Sequence, residues 1–208
     1  MALAEMNSMA ERKPLLSFLK RIFLKEIDKD ILMDLQQIPV DTVSNDLDQG
    51  FSLITQAAKT NNSRMDDYLE ELAVEFSRLF IGPTHPPAVP FASFYLSENR
   101  ILMSEITIKV RKQYLEAGLT VHNLYQIPED HISFEMEFME YLIDRSLELH
   151  SLGDDEQVES LKNLTERFFY DHLTVWVPDF SDSIIEHTKE DFYQGAALIL
   201  KETCSQDW

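Results

Sequence analysis

Apolar residues recur at helical spacing along nearly the whole chain. Leu15, Phe18, Leu19, Ile22 and Phe23, continued by Ile27, Ile31 and Leu35, trace one stripe that ends before Pro39. From Leu69 the series Leu69, Leu72, Ala73, Phe76, Leu79 and Phe80 marks one face of a helix; Ser63 and Asp66 have capping spacing ahead of it, and Gly82-Pro83 stops it. Leu102, Ile106, Val110 and Tyr114 step every fourth residue toward Gly118, and a further segment runs from His131 to His150 and ends near Gly153. Val158, Leu161, Leu164, Phe168, Phe169 and Leu173 predict another amphipathic helix, closed by Trp176 and Pro178. A last helix carries Phe192, Ala196 and Ile199, with Ser183 and Glu186 spaced as a capping box at its start. Only five glycines occur, too few and too scattered for a sheet protein full of tight turns. The pattern therefore predicts an all-α fold, a compact bundle of about 8 to 11 helices forming one domain over residues 1–208.

One stretch interrupts the helices. Residues 82–95, GPTHPPAVPFASFY, hold four of the eight prolines together with His85, Phe91, Phe94 and Tyr95. No helix passes through such a segment. It is either a hinge between two lobes or a wall of a binding site.

Charge narrows the function. Among 208 residues, 37 Asp and Glu face 18 Lys and Arg, a formal net charge of −19. Nucleic-acid binders draw their affinity from cationic side chains that displace phosphate counterions, so no nucleic-acid partner is expected. Eleven acids lie between Pro128 and Ser160 against one base, Arg145; the run is a solubilising face or the rim of a groove for a basic, apolar peptide. Cys204 is the single cysteine, which permits no intramolecular disulfide and points to a reducing, cytoplasmic setting. The N-terminal stretch lacks the uninterrupted apolar core of a signal peptide, and no segment approaches the roughly 20 apolar residues of a membrane span. Stable membrane insertion is not expected.

The common catalytic signatures are missing. There is no G-x-G-x-x-G, no Walker loop, no H-E-x-x-H and no G-x-S-x-G, so no cofactor of its own, no metal and no catalytic residue is implied. The nearest cluster is Asp130-His131 with Glu135 four residues on, one helical turn away from His131. Three readings stand side by side. Asp130 caps the helix after Pro128 while Glu135 is a solvated acid; or the group serves a metal or proton transfer; or it anchors a polar ligand. His85, His122, His150, His172 and His187 are scattered without ligand spacing and read as ordinary surface or packed histidines. Met136 and Met139 belong to an apolar face that is either core or an adaptable peptide groove.

Four stretches together resemble the TorD/DmsD-type chaperones of redox-enzyme maturation. They are LLSFLKRIFLKEIDKDIL at 15–32, LAVEFSRLFIGPTHPPAVPFASFY at 72–95, YLEAGLTVHNLYQIPEDHISFEMEFMEYL at 114–142 and FFYDHLTVWVPDF at 168–180. The second and third carry that family's E-[FY]-x-x-L-F-x-G-P helix end, P-[FYW]-x-S-x-Y loop and P-x-D-H-x-x-x-E segment, in family order. The resemblance implies a TorD-like helical fold and a non-enzymatic cytoplasmic chaperone. Such a protein binds the twin-arginine signal peptide of a molybdenum-cofactor oxidoreductase, holds the apo catalytic subunit for cofactor insertion and delays its export. Carried over by position, the implied signal-peptide surface comprises Glu75, Phe76, Leu79, Phe80 and Gly82 at the helix end, Pro90, Phe91, Ser93 and Tyr95 in the loop, and Pro128, Asp130, His131 and Glu135 in the third segment. Phe76, Leu79, Phe80, Phe91 and Tyr95 are expected to cover the signal's apolar stretch, and Asp130 and Glu135 to receive its arginines. The chain departs from the family with Phe91 where Trp is frequent, and with Ala92 and Ser104 where Gly is common. A monomer or a domain-swapped dimer is implied. Two other classes remain at this level: a passive acidic scaffold subunit, and a metal-dependent hydrolase built on His131, Glu135 and a distant histidine such as His172.

Overall fold

The computed structural model describes residues 3–39, 43–83, 85–119 and 127–205. His122, and Thr84 within the proline-rich loop, lie outside the described residues. The fold is all-α, as the periodicity predicts. Its helices are α1 (Leu3–Leu24), α2 (Lys29–Leu35), α3 (Asp46–Thr60), α4 (Met65–Phe76), α5 (Ala92–Leu96), α6 (Glu105–Glu116), α7 (Ile132–Ser151), α8 (Asp155–Phe168), α9 (Thr174–His187) and α10 (Asp191–Thr203). Two π-turns, Ser77–Ile81 and Phe169–Leu173, extend α4 and α8. Among the described residues the only β pairing is an isolated antiparallel bridge between Phe91 and His131, and no helix is long and apolar enough to cross a membrane.

The chain divides into two compact units, residues 1–23 with 91–176 and residues 24–90 with 177–207. It passes from one to the other within the ends of α1 and α9 and between Pro90 and Phe91. In the first unit α7 supplies the apolar spine, with Ile132, Met136, Phe138, Met139, Leu142 and Ile143 all buried. Met136 and Met139 are thus core rather than groove. α8 packs along it, and Tyr114, Phe138 and Phe168 interlock, with ring centroids 4.5 Å apart for the first pair and 4.9 Å for the second. The second pair is edge-to-face, an arrangement that adds stabilisation beyond buried area. α1 is tied to α7 through Glu140, which accepts from Ser17 and pairs with Lys20 at 2.7 Å.

In the second unit α10 lies along α3 at unusually close range. A Cβ on Gly195 would stand 2.5 Å from the Gly50 carbonyl oxygen and 2.8 Å from Ile54 Cγ1. Only a glycine lets the two backbones meet there. Phe76, Phe80, Phe180 and Tyr193 fill the space between α4, α9 and α10, and the Tyr193 hydroxyl donates to the Leu72 carbonyl at 3.0 Å.

Several boundaries differ from the sequence reading. Pro178 does not end a helix: it sits inside α9, and the backbone just upstream widens into the Phe169–Leu173 π-turn, a form in which helices carry an irregularity without stopping. Ser183 is not a cap, because its hydroxyl bonds back to the Asp179 carbonyl within α9. Glu190 precedes α10 instead, without a side-chain cap bond. Ser63 lies in a 3₁₀ turn, and α4 starts after Arg64 with no side-chain cap.

Candidate functional site

In the first unit the segment Pro128–Glu135 is wired into its surroundings at nearly every residue. The Glu129 carboxylate, almost fully buried, accepts from Arg111 Nε at 2.7 Å and Nη2 at 3.0 Å, a two-pronged pairing that suits a planar guanidinium. The Glu129 carbonyl accepts from the Tyr114 hydroxyl at 3.0 Å. Asp130 is 0% exposed. Its Oδ2 accepts from the Ser93 backbone N–H at 2.7 Å, its Oδ1 from the Thr107 hydroxyl at 2.8 Å, and its carbonyl from the Ala92 N–H at 2.9 Å. The first amides of a helix have no partner within it, and Phe91 offers no side-chain cap. Asp130 therefore caps α5 from a distance of 37 residues in sequence and fixes the Phe91–Tyr95 loop.

His131 occupies the N-cap of α7, its Nδ1 accepting from the Ser133 N–H at 3.1 Å. Burial pushes its pKa down to about 4, so the imidazole is neutral at pH 7 and acts as an acceptor. Its ring meets Phe91 edge-on at 5.0 Å. The reading of Asp130 as the cap of α7 is thus corrected: the histidine is the cap, and the aspartate serves another helix.

Glu135 is no solvated acid. It is 0% exposed; His172 Nε2 lies 2.6 Å from its Oε1, and Trp176 Nε1 donates to its Oε2 at 3.0 Å. Burial, and after it the charge of Asp130, raise the Glu135 carboxyl against the opposing pull of His172 and Trp176. Burial also acts to lower His172, but the adjacent Glu135 carboxylate outweighs it and the imidazole is raised. Both shifts favour keeping a proton on the pair, because losing it leaves a bare carboxylate in a dry interior near Asp130. His172, expected as a surface or packed histidine, is packed here as this buried partner. The Ser93 and Ser133 hydroxyls are buried without hydrogen-bond partners among the described residues.

The other implied residues belong to the second unit. Glu75, 8% exposed, accepts from Arg78 Nε and Nη2, both at 2.7 Å, from the Thr188 hydroxyl at 2.9 Å and from the Lys189 N–H at 3.2 Å. Arg78 also donates to the His187 carbonyl at 2.7 Å, so Glu75 and Arg78 together clamp the turn between α9 and α10. Burial tends to raise the Glu75 carboxyl, yet these donors hold it below the usual range. Phe76, Leu79 and Phe80 are buried in the aromatic core. Gly82 ends the π-turn at φ 55°, where a Cβ would stand 3.0 Å from Pro86 N, and Ala88 N–H donates back to the Leu79 carbonyl at 3.0 Å. Pro90 is buried.

The structure thus sorts the implied residues. Phe91, Tyr95 and Pro128 keep part of their surface in solvent, and Gly82 does so at the end of α4. Phe76, Leu79, Phe80, Ser93, Asp130 and Glu135 do not. The expectation that Asp130 and Glu135 present carboxylates to arginines is not met in this conformation, since their oxygens are spent inside the fold. Sequence reasoning gave Thr107, Arg111, Tyr114 and Trp176 no role at this site. Their partners are 15 to 41 residues away, and the one signal pointing to them was the unusual density of polar residues at 128–135 on an otherwise apolar helix start. Among the described residues no group of three or more His, Cys, Asp or Glu side chains comes together to hold a metal.

Comparison with known proteins agrees with this picture. Residues 42–182 match the family described as nitrate reductase delta subunit. The chain is 29% identical over 191 residues to the chaperone protein TorD of Vibrio vulnificus, covering 91% of this chain and 87% of that protein. It is 30% identical over 151 residues to the TorD of Photobacterium profundum, covering 73% and 68%, and 26% identical over 190 residues to that of Salmonella arizonae, covering 88% and 83%. The chain therefore belongs to the nitrate reductase delta subunit family and is similar over most of its length to chaperones of the TorD type.

Proposed function

We propose that this protein is a cytoplasmic maturation chaperone that binds the twin-arginine signal peptide of a molybdenum-cofactor oxidoreductase. It holds the apo catalytic subunit for cofactor insertion and delays export until the enzyme is mature. The observation that supports the reading best is the interlock of the Phe91–Tyr95 loop with Glu129–His131, because the two family motifs are bound to each other and present a partly exposed aromatic edge.

On this reading the implied residues divide by what they touch. Asp130, His131 and Glu135 set the loop and the start of α7, and the Ser93 N–H donates that loop's capping bond to Asp130. Phe91, Tyr95 and Pro128 meet the peptide's apolar stretch, each fully covered side chain contributing roughly 1.5–3 kcal/mol before ordering costs. In the second unit Phe76, Leu79, Phe80 and Pro90 back the helix end that Gly82 terminates, and Glu75 fixes the α9–α10 turn. The net charge of −19 steers a cationic leader toward the chaperone.

Titration calorimetry with a client's twin-arginine peptide tests the proposal. Saturable binding is expected that weakens as salt is added, with at least about tenfold loss when both arginines are replaced by glutamine. Absence of binding, or equal affinity for the glutamine peptide, overturns it.

A further inference from the structure

The second unit holds a cleft of about 210 Å³ that neither family motif reaches. Its lining comes from the end of α3, from α4 and from the turn before α10, and includes Gln56, Asn61, Tyr68, Glu190 and Asp191. Tyr68 is 3% exposed, yet its hydroxyl has no hydrogen-bond partner among the described residues. Buried phenol hydroxyls ordinarily find one. Glu190 is half-buried, and its carboxylate makes neither an ion pair nor a hydrogen bond with the described residues.

The wall that carries Glu190 is rigidly built. The Glu190 N–H donates to the Thr188 hydroxyl oxygen at 3.1 Å, that hydroxyl donates to Glu75 at 2.9 Å, and Glu75 also receives the Lys189 N–H. Two nearby cations are already engaged. Arg78 is paired with Glu75, and Arg64 with Glu71 and with the Asn61 side-chain oxygen at 3.0 Å. Lys189 lies at the rim and is exposed. Burial, then Glu75, Glu71 and Asp191, hold the Glu190 carboxyl above its ordinary value against the smaller opposing pull of Arg64. A divalent metal does not fit, because no group of three ligating side chains converges among the described residues.

We infer that this cleft receives one cationic side chain, a guanidinium or ammonium group, from a bound polypeptide, with the Glu190 carboxylate as counter-charge and the free Tyr68 hydroxyl oxygen as a second acceptor. The inference rests on the proposed function and deepens it: it gives a basic residue of the client a receptor that Asp130 and Glu135 do not provide. Glu75, through Thr188 and Lys189, is a positioning residue for that receptor.

The test uses the full chain labelled with ¹⁵N and two probes, N-acetyl-arginine amide and its neutral analogue N-acetyl-citrulline amide. The arginine probe, at concentrations on the order of tens of millimolar, should shift the amide signals of Asn61, Tyr68, Lys189 and Glu190 in a saturable manner. Glu190→Gln should weaken this by at least about tenfold with no drop in urea midpoint, because the substitution also relieves like-charge repulsion. Tyr68→Phe should weaken it by a smaller factor. No shift in wild type, equal shifts from the citrulline probe, or unaltered binding by Glu190→Gln each overturns the inference. Calorimetry with the twin-arginine peptide separates the two claims. Peptide binding without arginine-probe shifts at the cleft removes the receptor and leaves the proposed function; probe shifts without peptide binding do the reverse.

Discussion

The two units carry their buried acids in different ways. In the first, Asp130 and Glu135 are 0% exposed, and their oxygens meet the Ser93 N–H, the Thr107 hydroxyl, His172 and the Trp176 indole. Four elements are thereby joined through polar atoms in a dry interior. In the second, helix packing rests on the Gly50–Gly195 approach and on the Phe76, Phe80, Phe180, Tyr193 cluster, while Glu75 sits at the margin with a partner, Arg78, whose side chain is 44% exposed. The difference teaches where each unit is vulnerable. A buried network fails when one member is removed, because the others are left unpaired; a close-packed helix pair fails when volume is added.

The largest effect should follow from breaking the network. Glu135→Ala leaves His172 and the Trp176 N–H without their acceptor and should cost about 3–5 kcal/mol in urea unfolding. A loss below about 1 kcal/mol would mean the network is not a stabilising framework.

Second in size is a pH effect confined to the first unit. His131, held near pKa 4 by burial against an ordinary 6.5, binds its proton less readily in the folded chain. The unfolded chain therefore takes up more protons between these values, and stability falls by up to about 3 kcal/mol as pH drops from 6.5 to 4. His131→Asn, which keeps an N-cap acceptor, should flatten that acid limb. His172 gives the opposite slope. Its pKa is raised, so its contribution is complete below 6.5 and is lost as pH rises through the folded value. Unfolding curves from pH 4 to pH 9 measure both limbs.

Smaller still is the response of the second unit to added volume. Gly195→Ala forces a methyl group within 2.5 Å of a carbonyl oxygen that belongs to backbone and cannot swing aside, and should cost about 1–3 kcal/mol. The smallest effect is expected at Glu75→Gln, about 1 kcal/mol or less, since its ion pair is partly solvated and Gln still accepts from Thr188. If Glu75→Gln matched Glu135→Ala, the contrast between the units would be void.

Much of the fold was legible because amphipathic helices announce themselves locally. The Leu69–Phe80 stripe and the Gly82 stop lie where the periodicity puts them, with α4 and its π-turn ending at Ile81. What was not legible depends on contacts distant in sequence. Asp130 beside a helix start looks like its cap, and only the fold reveals that it serves Ser93 N–H while His131 takes the cap. Glu135 and His172 are 37 residues apart, and nothing in local spacing joins them. Pro178 was misread because the rule that proline ends helices ignores the π-turn that precedes it. Phe76, Leu79 and Phe80 lie in a motif associated with binding, yet their apolar character is equally satisfied by the core in which they are found.

The central claim is that Glu129, Asp130 and His131 hold a loop whose Phe91 faces a client's signal peptide. The most direct test is calorimetry of a twin-arginine signal peptide against the full chain and against Phe91→Ala, with urea unfolding of both. The account predicts at least about tenfold weaker peptide binding by Phe91→Ala while stability changes by no more than about 1 kcal/mol. Undiminished affinity in a stably folded Phe91→Ala would contradict it.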